Sequence, residues 1–198
     1  MAIHVALNEI GAKFELVNVS VPNGQPKSPE LLKVNPRGAV PVLKIDDFVL
    51  REGAAILTYL LDTNENNLLP KSGLERAAAL EWLSFANSTL HPAYSRLFGM
   101  MRVLGAEFKN NELYKPSVAQ VQNYWNEIEA RLANQEFIAG NKLTIADILI
   151  TVIANWSKNF PNEFKFGDNT KKYFSKIIAR PAYKKAIEAE GISYTANL

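Results

Sequence analysis

The chain has 198 residues, of which 47% are apolar and 21% charged, a composition typical of a globular protein with one large or two modest domains. Its 22 basic and 20 acidic residues leave a formal charge of +2, a field too weak to favour a nucleic-acid partner. The absence of cysteine excludes disulfides, thiolate zinc sites and a cysteine nucleophile. No apolar run reaches the roughly 18–20 residues that span a bilayer, and no basic-then-apolar leader follows Met1. We therefore expect a cytoplasmic protein without a membrane partner.

The distribution of glycine and proline divides the chain into two parts. Most of the ten glycines and ten prolines lie in the first third and around residues 161–191, whereas residues 75–155 contain few. Because these residues interrupt helices, the first part should mix helices with strands and the second should be helical. We predict an α/β domain over residues 1–71 and an all-α domain over residues 72–198.

The first part combines helical and strand-like patterns. In chain order it predicts a helix over residues 3–10, a strand over 14–19, an irregular loop over 22–26, a capped helical turn over 28–32, a hairpin of strands over 40–45 and 48–50, and a helix from residue 53. A first helix of this kind normally connects two parallel strands, and the strand before it is missing from the sequence. Either the chain begins later than related chains, or residues 14–19 are not a strand.

The second part has apolar residues at helical spacing over most of its length. Steps of three and four residues predict long amphipathic helices over 80–97 and 118–132, and shorter helices over 171–179 and 181–189. Thr144 and Asp147 have the spacing of a capping box, in which each side chain accepts a bond from a free backbone N–H at a helix start. The helix that follows is apolar on nearly all sides, as expected of a central helix. We assign Thr144 and Asp147 to folding alone.

Several motifs then occur in one order along the chain. Arg37–Leu43 reads R-G-A-V-P-V-L and Arg51–Ile56 reads R-E-G-A-A-I, while the helical part carries Glu81–Leu83, the region of His91, and Leu143–Asp147. With these motifs the chain resembles the cytosolic glutathione transferases, most closely the bacterial beta class. The resemblance covers essentially the whole chain.

The resemblance implies a thioredoxin-like α/β domain, apparently without its first strand, followed by a helical bundle, in a homodimer that binds glutathione as co-substrate. A cis-proline at Pro41 would turn the backbone of Val40 toward the cysteinyl backbone of glutathione, which pairs with it as a strand does. Glu52 would accept the γ-glutamyl ammonium, and Gly53, at a helix start, would donate its N–H to the γ-glutamyl carboxylate. Lys27 would contact the glycyl carboxylate.

The resemblance also places His91 and Tyr94 at the pocket for the electrophile, but all of these residues have simpler structural interpretations. Val40–Pro41 can begin an edge strand, Glu52 can cap the helix after it, and Lys27 can be a solvated loop lysine. His91 can be an ordinary, partly buried histidine. Tyr94 lies on an apolar stripe that favours packing in the core.

The chain departs from the family at the position that activates the thiol. Family members donate a hydrogen bond to the glutathione sulfur from a Tyr, Ser or Cys in the loop after the first strand, which lowers a thiol pKa of about 8.5. That loop would precede Met1, so the catalytic residue is unknown and His91 is the candidate donor.

Three hypotheses remain: a transferase that conjugates glutathione to small, largely apolar electrophiles, a non-catalytic glutathione-binding or dimeric scaffold of the same fold, and a glutathione-dependent isomerase. No pattern indicates a metal site.

Overall fold

A computed structural model describes residues 1–19 and 27–196, so the predicted loop over 22–26 lies outside the described residues. The helices and strands are α1 (Ala2–Glu9), α2 (Pro29–Val34), β1 (Val42–Ile45), β2 (Phe48–Arg51), α3 (Gly53–Thr63), α4 (Gly73–Phe85), α5 (His91–Leu104), α6 (Tyr114–Leu132), α7 (Ile145–Ala154), α8 (Asp168–Ile178) and α9 (Pro181–Glu190). A π-turn over Ala86–Leu90 joins α4 to α5. None of the described helices combines the length and the apolar character that crossing a bilayer requires.

The strands β1 and β2 form the predicted antiparallel hairpin. Val42 pairs with Arg51 and Ile45 pairs with Phe48, around a turn in which Asp46 has a positive φ of 49°. Aspartate tolerates this left-handed backbone better than most residues, and the favoured two-residue hairpin turns require a positive φ at this position. The apolar residues of the hairpin pack against α1 and α3, so the hairpin is held on one side by helices.

The predicted strand over residues 14–19 is wrong. The structure gives these residues neither helix nor strand, and Phe14, Leu16 and Val17 are 37%, 52% and 66% exposed. A strand is stabilised by a ladder of hydrogen bonds to a neighbour, and within the described part of the chain β1 and β2 pair only with each other. An apolar, β-branched composition was therefore not sufficient to form a strand here.

The apolar helix α7 lies at the centre of the helical part, as its sequence predicts, and packs against α1, α4 and α8. Its capping box is present: the Thr144 N–H donates to Oδ2 of Asp147 at 2.6 Å, and the Thr144 side chain accepts from the N–H of Asp147. The same carboxylate accepts from the Ile138 N–H at 2.7 Å and from the Tyr173 hydroxyl at 3.0 Å. Asp147 thus ties the start of α7 to the preceding loop and to α8.

The helix predicted over residues 80–97 is divided by the π-turn. The N–H of His91 donates to the carbonyl of Ala86, five residues back instead of four. The next residue, Pro92, has no N–H and cannot donate to the carbonyl four residues before it. The helix therefore changes from the α-helical to the π-helical hydrogen-bond pattern directly before Pro92, the residue that cannot continue the α-helical pattern.

The helix α1 joins the two parts of the molecule because both of its faces are buried. Val5 and Ala6 belong to the main core with the later helices, whereas Leu7 packs with α3 and the hairpin. The guanidinium of Arg180, just before α9, also donates to both carboxylate oxygens of Glu9 at 2.6 and 2.8 Å. The hairpin is thereby held at a fixed place relative to the helical part.

Candidate functional site

The loop between α2 and β1 is organised by the side chain of a buried asparagine, Asn35. Its amide Nδ2 donates to the carbonyl of Ala39 at 2.8 Å, and its Oδ1 accepts from the N–H of Arg37 at 3.3 Å. Its backbone carbonyl accepts from the N–H of Gly38 at 2.7 Å, where φ is +59°. The sequence interpretation did not select Asn35, although an asparagine before a Pro-x-Gly turn is a recognisable signal for a side chain that bonds its own loop.

The next residues, Val40 and Pro41, expose a peptide group at the end of the hairpin. Their peptide bond is cis, as expected from the resemblance, and Val40 is 64% exposed. No described residue forms a hydrogen bond with the N–H or the C=O of Val40. Because Val42 pairs with Arg51, extension of the same register places Pro41 beside Glu52, and Val40 beside the residue after it. The peptide group of Val40 and the start of α3 therefore lie at the same end of the hairpin.

Glu52 and Gly53 form the junction between β2 and α3. Glu52 has φ +71° and ψ 117°, an uncommon conformation for a residue with a side chain. Its exposed carboxylate accepts a hydrogen bond from Nη1 of Arg37 at 2.8 Å. This ion pair connects the junction to the loop before β1. Gly53 begins α3, where the first backbone N–H groups have no acceptor within the helix and the dipole favours an anion.

Lys27 lies beside the same loop. Its Nζ donates to the carbonyl of Arg37 at 2.9 Å, and a Cβ added at Gly38 would collide with its side chain. Its ammonium is exposed, and its bond to a backbone carbonyl leaves its charge without an anionic partner among the described residues. The structure therefore brings Lys27 to the loop that leads into Val40, and a contact with the glycyl carboxylate stays a prediction.

The helical part reaches this site through Asn87, in the π-turn. A Cβ added at Gly53 would lie 3.8 Å from Cγ of Pro41 and 3.9 Å from Oδ1 of Asn87. Asn87 is half-buried at this junction. The sequence interpretation passed over it, because a polar residue within an apolar-spaced helix gives no local sign of which distant element it faces.

His91 follows the π-turn at the start of α5 and is exposed. Its ring packs edge-on against Trp156, with 4.8 Å between ring centroids, and its Nδ1 lies 3.3 Å from Oγ of Ser95. Partial burial of the imidazole lowers the pKa of His91 below its ordinary value, because burial disfavours the charged ring. His91 is thus largely neutral at pH 7.

Tyr94 does not line a pocket. It is fully buried, and its hydroxyl lies 2.5 Å from Oγ of Ser157 and accepts from Nε1 of Trp125 at 2.8 Å. Burial raises the pKa of Tyr94 well above its ordinary value. The placement of Tyr94 at the substrate pocket is corrected to core packing, because residues three apart on one helix can lie on opposite sides of the boundary between core and surface.

The surface beside His91 is instead formed by two aromatic rings that are only partly buried. Phe98, two helical turns after His91, packs edge-on against Trp156 with 5.9 Å between ring centroids. The sequence interpretation did not name Phe98, although its position seven residues after His91 places it on the same helix face.

Two surface depressions lie away from all of these residues. One of about 520 Å³ is lined by α6 and the segment before α8, and one of about 300 Å³ lies where α1 meets α9. Neither includes a residue predicted for the site. Because an extended peptide binds to a free strand edge through backbone hydrogen bonds, a site at Val40 does not require a deep cavity.

The sequence matches two protein-family models, described as Glutathione S-transferase, N-terminal domain, over residues 1–62, and Glutathione S-transferase, C-terminal domain, over residues 88–181. It is 29% identical to Glutathione S-transferase GST-4.5 of Xanthomonas campestris pv. campestris, over 98% of this chain and 95% of that protein. It is 30% identical to Glutathione S-transferase 3 of Zea mays, over 94% of this chain and 87% of that protein.

Solved structures give the same result. A sphingomonad glutathione S-transferase complexed with glutathione has 32% sequence identity and a TM-score of 0.78, over 97% of this chain and 94% of that chain. The matches confirm the predicted fold class, a thioredoxin-like domain with a small sheet followed by a helical domain. Since the similarity extends over nearly the full length of each relative, the chain belongs to the glutathione transferase family.

Proposed function

We propose that this protein binds glutathione and conjugates it, through its sulfur, to small, largely apolar electrophiles. The observation that carries the proposal is the peptide group of Val40, with which no described residue forms a hydrogen bond, at the same end of the hairpin as Glu52 and the start of α3. These groups can pair with the cysteinyl backbone, the γ-glutamyl ammonium and the γ-glutamyl carboxylate, respectively. The glutathione transferases among its relatives support this assignment.

The charges around the loop before β1 also complement glutathione. Lys27 and Arg37 provide two cations, and Glu52 provides one anion. Glutathione carries two carboxylates and one ammonium, which is the opposite set. The pair between Arg37 and Glu52 is 69% and 66% exposed, so it contributes only about 0–1 kcal/mol and can exchange for bonds to a ligand.

His91 is the candidate for stabilising the thiolate of glutathione. The Ser95 hydroxyl donates to the backbone carbonyl of His91 at 3.1 Å and also lies 3.3 Å from Nδ1, and the tautomer of the neutral ring that carries its proton on Nε2 can donate it to sulfur. In the transfer itself the thiol loses its proton, the sulfur forms a bond to the electrophilic carbon, and the leaving group departs with its electron pair. A positioned donor in a partly dehydrated site lowers the energy of the thiolate in this step.

The aromatic surface formed by Phe98 and Trp156 beside His91 is proposed to hold the electrophile. Partly exposed rings favour an apolar co-substrate, because contact with it removes further apolar surface from water. Conjugation of such compounds would serve detoxification in the cytoplasm.

We further propose that the protein is a homodimer. Large apolar side chains are exposed on both domains, with Phe48 at 62%, Leu74 at 89% and Val103 at 77%. A second copy of the chain that covers these side chains would remove their apolar surface from water, which stabilises the association. Light scattering in solution should give about twice the mass of one chain, and the mass of one chain would contradict this part of the proposal.

Calorimetric titration of the protein with glutathione, together with a conjugation assay on an aromatic chloride electrophile, tests the function. The proposal predicts saturable binding and thioether formation. Binding without turnover would favour the non-catalytic scaffold. Turnover that returns glutathione unchanged with a rearranged co-substrate would favour the isomerase. Absence of binding would contradict all three hypotheses.

A further inference from the structure

A buried polar side chain that the proposed reaction leaves unused, Asn155, holds the segment that follows α9. Asn155 begins the 3₁₀ helix over Asn155–Asn159, directly after α7, and is 5% exposed. Its Oδ1 accepts from the N–H of Thr195 at 2.8 Å, and its Nδ2 donates to the carbonyl of Ser193 at 3.0 Å. One carboxamide therefore pairs with two backbone groups of this segment, and displacement of the segment would leave a buried amide without partners.

The same 3₁₀ helix presents Trp156 to the surface beside His91. A 3₁₀ helix has three residues per turn, so Asn155, Trp156 and Ser157 point in three different directions. Asn155 points to the segment after α9, and the Ser157 hydroxyl lies 2.5 Å from the hydroxyl of Tyr94 in the core. The half-buried ring of Trp156 takes the third direction, toward His91, with 4.8 Å between ring centroids. The direction of the ring therefore depends on the contacts of the residues on either side of it.

The orientation of so short a helix is set by its side-chain contacts, because it has few hydrogen bonds of its own and 3₁₀ bonds have poorer geometry than α-helical ones. We infer that Asn155 is a positioning residue for the electrophile: by bonding to the segment after α9, it fixes the Trp156 ring against which the electrophile packs. This inference rests on the proposed function. It makes the segment after α9 part of what determines the binding of the co-substrate.

The consequence is a selective effect on the aromatic part of a ligand. Glutathione alone binds at the hairpin and does not need the Trp156 ring, whereas a conjugate of glutathione with a dinitrophenyl group brings an aromatic ring to it. The ratio of the two dissociation constants measures this aromatic contact without requiring turnover. Loss of the hydrogen bonds of Asn155 should change the ratio.

The test is calorimetric titration of glutathione and of S-dinitrophenylglutathione into wild-type protein, Asn155→Ala and the control Thr170→Val. The control removes the hydrogen bond that a buried hydroxyl donates to Glu129 at 2.7 Å, a bond that involves neither the 3₁₀ helix nor the segment after α9. Asn155→Ala should weaken binding of the conjugate about fivefold, the size of one lost aromatic contact, and change glutathione binding by less than about twofold. Thr170→Val should bind both ligands as wild type does.

Three results would overturn the inference. Equal weakening of both ligands would show that Asn155 only supports the fold. Wild-type affinity of Asn155→Ala for the conjugate would show that the ring does not depend on this side chain. A further loss of conjugate binding when Asn155→Ala is added to Trp156→Ala would show that Asn155 does not act through the ring.

A second variant covers the case in which Asn155→Ala does not fold. Thr195→Pro removes the N–H that Asn155 accepts, at an exposed position, while the buried asparagine stays in place, so the same comparison applies. Wild-type protein that binds no glutathione would overturn the proposed function itself. That result is distinct from a wild type that binds both ligands and variants that bind them equally well, which would overturn only the role of Asn155.

Discussion

Replacing Glu52 with glycine should make the protein more stable while it weakens the binding of glutathione. Glu52 has φ +71° and ψ 117° immediately before α3. Residues with a Cβ rarely adopt this backbone conformation, and holding one there costs on the order of 1–3 kcal/mol. Glycine adopts it without this cost. The same substitution removes the carboxylate proposed to bind the γ-glutamyl ammonium.

Three contributions set the size of the stability change. Relief of the strained backbone stabilises by about 1–3 kcal/mol, and the greater freedom of glycine in the unfolded chain opposes it by about 0.5–1 kcal/mol. Loss of the pair with Arg37 costs about 0–1 kcal/mol, because both side chains are well exposed and screened. The net stabilisation of about 1 kcal/mol should raise Tm by about 2–4 °C for a chain of this size.

Glu52→Ala is the matched control, since it loses the same carboxylate but keeps a Cβ in the strained conformation. It should be less stable than wild type by up to about 1 kcal/mol. Thermal and denaturant unfolding measure this comparison, and titration with glutathione should show that both variants bind more weakly by about 1.5–3 kcal/mol. Equal stability of the two variants would refute the argument from strain. Wild-type affinity in both would remove Glu52 from the site.

Three further substitutions separate catalysis from folding. His91→Ala should lower kcat/KM for the electrophile by about tenfold or more with glutathione affinity nearly unchanged, whereas loss of the fold would show that His91 is structural. Asp147→Asn places an amide N–H against donors and should reduce the free energy of unfolding by about 3 kcal/mol, measured with denaturant; a change under about 1 kcal/mol would contradict this. Partial burial raises the pKa of Glu129, but hydrogen bonds from Thr170 and Asn169 outweigh it and lower that pKa overall. A carboxylate whose pKa is lowered on folding contributes its full stabilisation above the ordinary carboxyl pKa, and this contribution falls as pH drops through the lowered pKa. Glu129→Gln should therefore cost about 1 kcal/mol at neutral pH and progressively less as pH falls below the ordinary carboxyl range, and a pH-independent difference would contradict this.

The elements that the sequence predicts correctly are those specified by local contacts. Thr144 and Asp147 cap α7 through bonds within one helical turn, and the two-residue turn at Asp46 fixes the register of the hairpin. The prediction of a strand over residues 14–19 was wrong because a strand depends on a neighbouring strand, which the composition of the segment does not reveal. The π-turn before Pro92 was missed because spacing of three and four residues continues through it, although the proline gave a signal.

The same distinction explains which site residues were found. Pro41 and Glu52 could be placed near each other from the hairpin alone, since extension of its register makes them neighbours. The resemblance misplaced Tyr94 at the pocket, whereas its position on an apolar helical stripe favoured the core, where it lies. Asn87 was not found at all, since its contact with Gly53 depends on how two domains pack.

That packing also determines how glutathione would be bound. The helix α1 is buried against both domains, and its Glu9 accepts two hydrogen bonds from Arg180 while Asn8 donates to the carbonyl of Ala182 at 3.1 Å. These contacts hold the hairpin and the π-turn in place before any ligand arrives. A ligand that bonds to both domains therefore need not bring them together, and more of its contact energy remains for affinity.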